Sequence, residues 1–178
     1  MTFRSVLIAN RGEIAIRIAR ACSELGLRSV AVFSEDDDAS LHTRMADEAV
    51  ALTGHGVKAY LDGAQLIDVA KAHGCEAVHP GYGFLAENAG FARACEQAGL
   101  IFIGPSPDVL EGFGDKSAAR ALAERCEVPL IKGINRSVSL TEARAFLDEH
   151  GPLMIKAIAG GGGRGMRAVH AETELEQA

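Results

Sequence analysis

The sequence predicts an α/β protein: an open, doubly wound parallel sheet followed by a smaller α+β unit. Three observations carry this. Short β-rich apolar runs alternate with segments of helical periodicity as far as about residue 110. The first such cycle has the length of a β-α-β crossover, roughly thirty residues. After Pro129 the texture changes to one helix and then two strand-like runs that flank four consecutive glycines.

Ser5–Ala9 (Ser-Val-Leu-Ile-Ala) is an unbroken apolar run, as expected of a strand buried on both faces. Asn10-Arg11-Gly12-Glu13 turns the chain. Ile14, Ile18, Ala21, Cys22 and Leu25 then recur at helical spacing, and Gly26 closes the helix at the position after its C-cap. Asn10 reads as the cap of this helix. Glu13 suits the positive helix end and reads as the partner of Arg17 one turn on. Ser29–Phe33 is a second strand. An acidic loop (34–38), a short helix over Leu41–Met45 and an edge strand at Glu48–Leu52 follow.

Gly63–His73 is helical by spacing, and Ala77-Val78 opens a strand that ends at His79-Pro80. A helix through Phe91–Gln97 leads to the last strand of the series, Leu100–Ile103. Helices are expected at Asp108–Phe113 and, behind an Asp115 cap, over Lys116–Cys126, until Pro129 forbids continuation. Beyond it, Ser139–His150 reads as a helix capped by Thr141. Leu153–Ile158 and Met166–Val169 read as strands, and Thr173–Gln177 as the start of another helix. The expected domains are 1–112 and 113–178.

The 178 residues, 48% hydrophobic and 24% charged, suffice for one good core and part of a second. Net charge is −6 without a basic block, which counts against a nucleic-acid or anionic-membrane surface. Cys22, Cys75, Cys95 and Cys126 stand far apart with no Cys-x-x-Cys pair, so reduced thiols are expected and a zinc site is not. No apolar run approaches the ~18 residues needed to span a bilayer. Met-Thr-Phe-Arg-Ser enters a strand at once, so no signal peptide and a cytoplasmic location are expected.

Four stretches could carry chemistry. The turn at Asn10–Glu13 delivers a strand into a helix N-terminus, where parallel sheets bind dinucleotides. It has one glycine where that fingerprint needs three, and Glu13 lies where a pyrophosphate would sit, which favours a structural role. His79 to Asn88 follows a strand end, the side on which open α/β sheets hold their ligand crevice. Its glycines flank Tyr82, Phe84 offers an apolar face, and Glu87 or Asn88 offers a polar head or else simply caps the next helix. Lys116 occupies a first helical turn, where the dipole disfavours a cation unless an anion shares the site. The run Gly160 to Gly163, with Lys156 before it and Arg164 after it, suits a cationic cover over phosphates, or else a glycine-rich hairpin connection. Lys116, Lys156 and the glycines together point to a nucleoside triphosphate. The absence of Gly-x4-Gly-Lys-Ser/Thr excludes a P-loop.

Six motifs stand in the order found in biotin carboxylases. They are Ile8-Ala9-Asn10-Arg11-Gly12-Glu13-Ile14-Ala15, Ala46-Asp47-Glu48-Ala49-Val50, His79 to Asn88, Phe102-Ile103-Gly104-Pro105, Gly114-Asp115-Lys116 and Gly160 to Met166. The resemblance covers the whole chain. It implies a Rossmann-like domain that binds no dinucleotide, then the start of an ATP-grasp domain, truncated here. The implied reaction turns ATP and bicarbonate into carboxyphosphate and places CO2 on N1′ of biotin, within an acyl-CoA, pyruvate or urea carboxylase. Leu130-Ile131-Lys132-Gly133 and Gly151-Pro152-Leu153 depart from the family's usual Val-Pro-Gly and Gly-Tyr-Pro, away from ligand-facing positions.

By that resemblance, Lys116 and Lys156 are the two nucleotide-contacting lysines. Gly161, Gly162, Gly163, Arg164, Gly165 and Met166 form the lid over the phosphates, and Tyr82, Gly83 and Phe84 lie near the biotin ureido ring. Arg17, Arg20 and Glu24 on the first helix belong to a dimer surface. The implied cofactors are ATP, Mg2+ (or Mn2+) and biotin on a carrier domain, with bicarbonate as substrate. The implied partners are the carrier domain and a carboxyltransferase, on the same chain or separate, and a second copy in a homodimer. In the family the magnesium carboxylates and the bicarbonate arginine come after the glycine loop. No catalytic or metal-binding residue is therefore expected here, and the chain alone is expected to be inactive. Two other readings stay open. One is an ATP-grasp ligase of the carbamoyl-phosphate or purine-synthesis type, against which the Tyr82 loop argues. The other is a non-catalytic nucleotide-binding or dimerisation module.

Overall fold

The structure, a computed structural model, describes residues 3–134, 136–156 and 165–177, with Lys116 and Ser117 by backbone alone. The chain divides into two compact units, Met1–Asp115 and Lys116–Ala178.

In the first unit the apolar run Ser5–Ile8 forms β1, with all four residues buried. It lies at the centre of a parallel sheet with β2 (Arg28–Ser34), β3 (Glu48–Leu52), β4 (Ala77–His79) and β5 (Ile101–Phe102), in the order β3-β2-β1-β4-β5. The chain winds outward from β1 to one edge, then returns to build the other half from β4. The carboxyl ends of β1 and β4, where Ile8 pairs with His79, therefore border the switch point at which such sheets bind ligands. As expected, β3 is an edge strand.

Successive residues of β1 face opposite sides. Val6 and Ile8 pack with Ala77 against Ala15, Ile18, Ala19 and Cys22 of α1 (Gly12–Glu24). Leu7 joins Val30, Val32 and Val78 on the other face, under α2 (Gly56–Tyr60), α3 (Gly63–Ala72), α4 (Ala89–Gln97) and α5 (Pro107–Gly114). Burial of both faces explains why β1 and β2 read as continuous apolar runs. Arg17, Arg20 and Glu24 occupy the exposed stripe of α1. Helix α2 is not expected from the sequence, and Leu41–Arg44 is a 3-10 turn.

Three helices end alike. Gly26, Gly74 and Gly99 take φ of 68°, 60° and 79°. Behind each, the next N–H reaches back into the last helical turn: Leu27 to Cys22 (2.8 Å), Cys75 to Ala70 (2.8 Å) and Leu100 to Cys95 (2.9 Å). This Schellman geometry satisfies carbonyls that would otherwise be orphaned and sends the chain straight into β2, β4 and β5.

The second unit holds α6 (Lys116–Arg125), α7 (Leu140–His150) and an antiparallel hairpin of β6 (Leu153–Lys156) and β7 (Met166–Val169), then a 3-10 segment, Glu172–Gln177. Among the described residues its buried cluster is Ala143, Leu147, Val169 and Leu175. The cap of α7 is Ser139, not the expected Thr141. The Ser139 hydroxyl accepts from the Glu142 N–H (3.3 Å), and the Glu142 carboxylate accepts from the Ser139 N–H (2.9 Å), a reciprocal capping box. Among the described residues no helix is long and apolar enough to cross a membrane.

Candidate functional site

At the switch point the turn after β1 meets the loop after β4. Asn10 is 2% exposed, and a buried amide needs partners for both its N–H bonds. It donates through Nδ2 to the carbonyls of Pro80 (2.7 Å) and Tyr82 (2.9 Å). Its Oδ1 accepts the Arg11 N–H (2.9 Å). The expected cap is thus corrected. The residue preceding α1 is Arg11, with no side-chain cap, and Asn10 is committed to a loop seventy residues away in sequence. The approach is close enough that a Cβ on Gly81 would lie 2.6 Å from Asn10 Nδ2, and Gly81 also sits at φ 67°. Glycine is required there on both counts.

Glu13 is likewise redirected. Its carboxylate accepts the Tyr82 hydroxyl at 2.6 Å, in place of the expected pair with Arg17. Hydrogen bonding to that carboxylate pushes the Tyr82 phenol above its ordinary pKa, and the carboxylate's charge adds to the effect. Tyr82 itself is 63% exposed.

At the far end of the loop, Phe84 takes φ 42°, an uncommon conformation for a bulky residue, and stacks on Tyr60 at 5.3 Å between ring centroids. The Arg11 guanidinium lies 5.6 Å from the Tyr60 ring centre and 6.0 Å from that of Phe84, and pairs with Asp37 at 3.1 Å. The Tyr60 hydroxyl donates to Asp37 (2.9 Å) and accepts from the Ser34 N–H (3.2 Å). Burial, reinforced by Asp37, pushes Tyr60 up to about 12. Burial opposes the Asp37 charge, but the Ser40 and Tyr60 hydroxyls and Arg11 outweigh it and hold that carboxyl below its ordinary range. The His79 Nδ1 accepts the Gly81 N–H (3.0 Å), and burial lowers the His79 pKa.

These residues enclose an open cavity of about 350 Å³, lined by Asn10 to Ile14 and Tyr82 to Phe84. A hollow of about 410 Å³ lies between α3 and α4, over Leu61, Ile67, Leu85 and Phe91. Its polar side chains are Asp68 and Asn88, and Asn88 is occupied in capping α4 through the Phe91 N–H (2.8 Å). The switch-point cavity is the better candidate.

In the second unit Lys156 ends β6 exposed, directly opposite Met166, the first residue of β7. The two stand at the root of the glycine segment, with Gly165 beside them at φ 72°. Gly161, Gly162, Gly163 and Arg164 lie outside the described residues. Lys116 opens α6, and its side chain lies outside them too. Among the described residues no three His, Cys, Asp or Glu side chains converge as around a metal ion. Arg11, Glu13 and Tyr60 are the site residues that sequence reasoning misses. The one local sign for Asn10 is that it directly continues a strand buried on both faces.

Comparison with known proteins agrees with this architecture. The family described as "Biotin carboxylase, N-terminal domain" matches residues 2–110, and "Carbamoyl-phosphate synthase L chain, ATP binding domain" matches residues 115–178. The chain is 54% identical to the mitochondrial pyruvate carboxylase of Rattus norvegicus, over 98% of this chain and 15% of that protein. It is 51% identical to the pyruvate carboxylase of Bacillus subtilis, over 99% of this chain and 16% of that one. Among solved structures, the biotin carboxylase domain of a single-chain bacterial carboxylase superposes with TM-score 0.86 at 54% identity, covering 98% of this chain and 39% of that one. A biotin carboxylase–beta-gamma-ATP complex from Campylobacter jejuni gives 0.92 at 38% identity, covering 99% and 40%. The chain thus spans about 15% of these curated relatives. Its five-stranded parallel sheet and its match along residues 2–110 agree, and the chain belongs to the biotin carboxylase family.

Proposed function

We propose that the chain is part of an enzyme that uses ATP and bicarbonate to carboxylate biotin, and then transfers the carboxyl group to an organic acceptor. The observation that carries this reading is the succession of two matched regions: a biotin carboxylase domain with its Tyr82 loop built into the switch point, then an ATP-binding segment. In this reading Lys116, Lys156 and residues 161–166 hold the nucleotide. Tyr82, Gly83 and Phe84 face the biotin ureido ring, and Arg17, Arg20 and Glu24 meet a second copy. The stripe that those three share on α1 is exposed, as that role needs. ATP, Mg2+ and bicarbonate are the small-molecule requirements, and a biotin carrier domain and a carboxyltransferase are the partners. Identity of about half to pyruvate carboxylases favours a keto acid over an acyl-CoA as the final acceptor. Four unpaired thiols, three of them buried, fit a reducing compartment, which we read as the cytoplasm.

The full-length protein should cleave ATP in a biotin- and bicarbonate-dependent manner and form carboxybiotin. Equal cleavage without biotin, and no carboxybiotin, would overturn the assignment. A coupled assay with pyruvate against acetyl- and propionyl-CoA separates the acceptors. Calorimetry on the 178-residue chain addresses the reading as a self-sufficient nucleotide-binding module. Weak or undetectable ATP binding is expected, and a Kd well under about 1 mM would favour the module.

A further inference from the structure

We infer that Glu13 is a positioning residue for biotin: it aims the ring of Tyr82 by holding its hydroxyl. The inference rests on the reading above, in which the loop at 82–84 lies beside the ureido ring. The two ends of that loop are anchored through other groups. Asn10 holds the carbonyls of Pro80 and Tyr82, and the Phe84 ring is stacked on Tyr60. Tyr82 between them is 63% exposed, so packing alone leaves its rotamer free. The contact that selects one orientation is the 2.6 Å hydrogen bond to Glu13, whose backbone is fixed in the first turn of α1. In that bond the phenol donates. Its proton is committed to the carboxylate, so the phenol oxygen can meet a ligand as an acceptor alone, beside the ring face.

Two measurements test this. In the full-length carboxylase, Glu13→Ala should raise KM for free biotin about five- to tenfold and leave kcat within about twofold. Glu13→Gln keeps a carbonyl acceptor on the same stem and should restore KM. The second readout uses the 178-residue chain, which has two tyrosines and no tryptophan. Tyr60→Phe leaves Tyr82 as the one tyrosine, so in that background the phenolate absorbance that appears on raising pH is that of Tyr82. Glu13→Ala removes both the hydrogen bond and the charge and should bring this step down toward the ordinary phenol value of about 10, whereas Glu13→Gln removes the charge, keeps an acceptor and should lower the step by less. Glu13→Gln should thus recover the KM while its titration falls between wild type and Glu13→Ala, which separates the hydrogen bond from the charge.

A titration unmoved in both variants overturns the contact and the inference with it, whatever turnover does. A shifted titration with wild-type KM in Glu13→Ala, or a kcat loss at constant KM, overturns the positioning role and leaves the carboxylase reading standing. An unsubstituted enzyme without biotin-dependent turnover overturns that wider reading and takes this inference down with it.

Discussion

The first unit ends three of its helices with a glycine at positive φ, and the second ends α6 with the same backbone geometry and no glycine. Val128 N–H returns to the Ala123 carbonyl at 2.9 Å and Glu127 N–H to the Glu124 carbonyl at 3.1 Å, with Glu127 itself at φ 56°. The hydrogen bonds are dictated by how a helix stops. The residue at the turn sets only the conformational cost, about 1 kcal/mol for a side chain in the left-handed region. The cores differ in the same direction. The first unit sandwiches β1 and β2 between layers of fully buried side chains. The second closes on Ala143, Leu147, Val169 and Leu175, with Met154, Lys156 and Met166 of its hairpin exposed. The scaffold of the first unit therefore carries most of the chain's stability, and the second is held by turns, caps and a small core.

The largest test of that contrast is a cavity in each core. Leu66→Ala, at a site with 0% exposure, should cost about 2–5 kcal/mol in amide-exchange protection across the first unit. Leu147→Ala should cost less and act within the second unit. Equal losses would erase the distinction. At the switch point, Gly81→Ala must push a Cβ against Asn10 and hold alanine at φ 67°, a loss of about 2 kcal/mol or more by chemical denaturation. Asn10→Ala, which orphans two carbonyls, should cost about as much.

Smaller and opposite in sign are Gly26→Ala and Glu127→Gly. Nothing lies within 4 Å of a Cβ built on Gly26, so its φ of 68° alone should make alanine destabilising by about 1 kcal/mol. Glu127→Gly relieves the same strain and should raise the stability of the second unit by up to about that much. Two changes of one sign would show that the α6 turn is held by something other than the shared geometry.

The smallest effect is the acid response of α7. The Arg136 guanidinium, then the Ser139 N–H and hydroxyl, hold the Glu142 carboxyl at about 2, against an ordinary 4.5. A carboxyl lowered on folding stabilises the fold above its ordinary pKa. That contribution fades as pH falls from about 4.5 through about 2. Ser139→Ala should weaken α7 by about 1 kcal/mol at neutral pH and blunt its loss of helicity over this window, as read by NMR. An unchanged acid profile would show that the capping box contributes nothing.

Where neighbours in sequence are also neighbours in space, the fold was legible. The run at 5–9 announced a strand covered on both faces, and Gly26 announced a helix end. Helix α2 was not, because it spans five residues and only Ala59 and Tyr60 are buried, too short for a period to emerge. Ser139, not Thr141, caps α7, and Ser139 and Glu142 carry the spacing of a capping box, so this signal is local in the sequence. The loop at 79–88 could be located from its place after a strand. What holds it could not, since Asn10 and Glu13 have adequate local explanations as cap and helix partner. Their real partners are supplied only by the crossover that sets β4 beside β1.

That crossover has an entropic consequence for whatever binds at Tyr82. One turn of chain holds the residue twice: its carbonyl through Asn10, its hydroxyl through Glu13. An exposed aromatic side chain normally surrenders its rotational freedom when a ligand settles against it, at a cost of roughly 0.5–1.5 kcal/mol. Here that freedom is already gone when the chain has folded. A molecule stacking on Tyr82 keeps the corresponding affinity, and the folding reaction has borne the loss in advance.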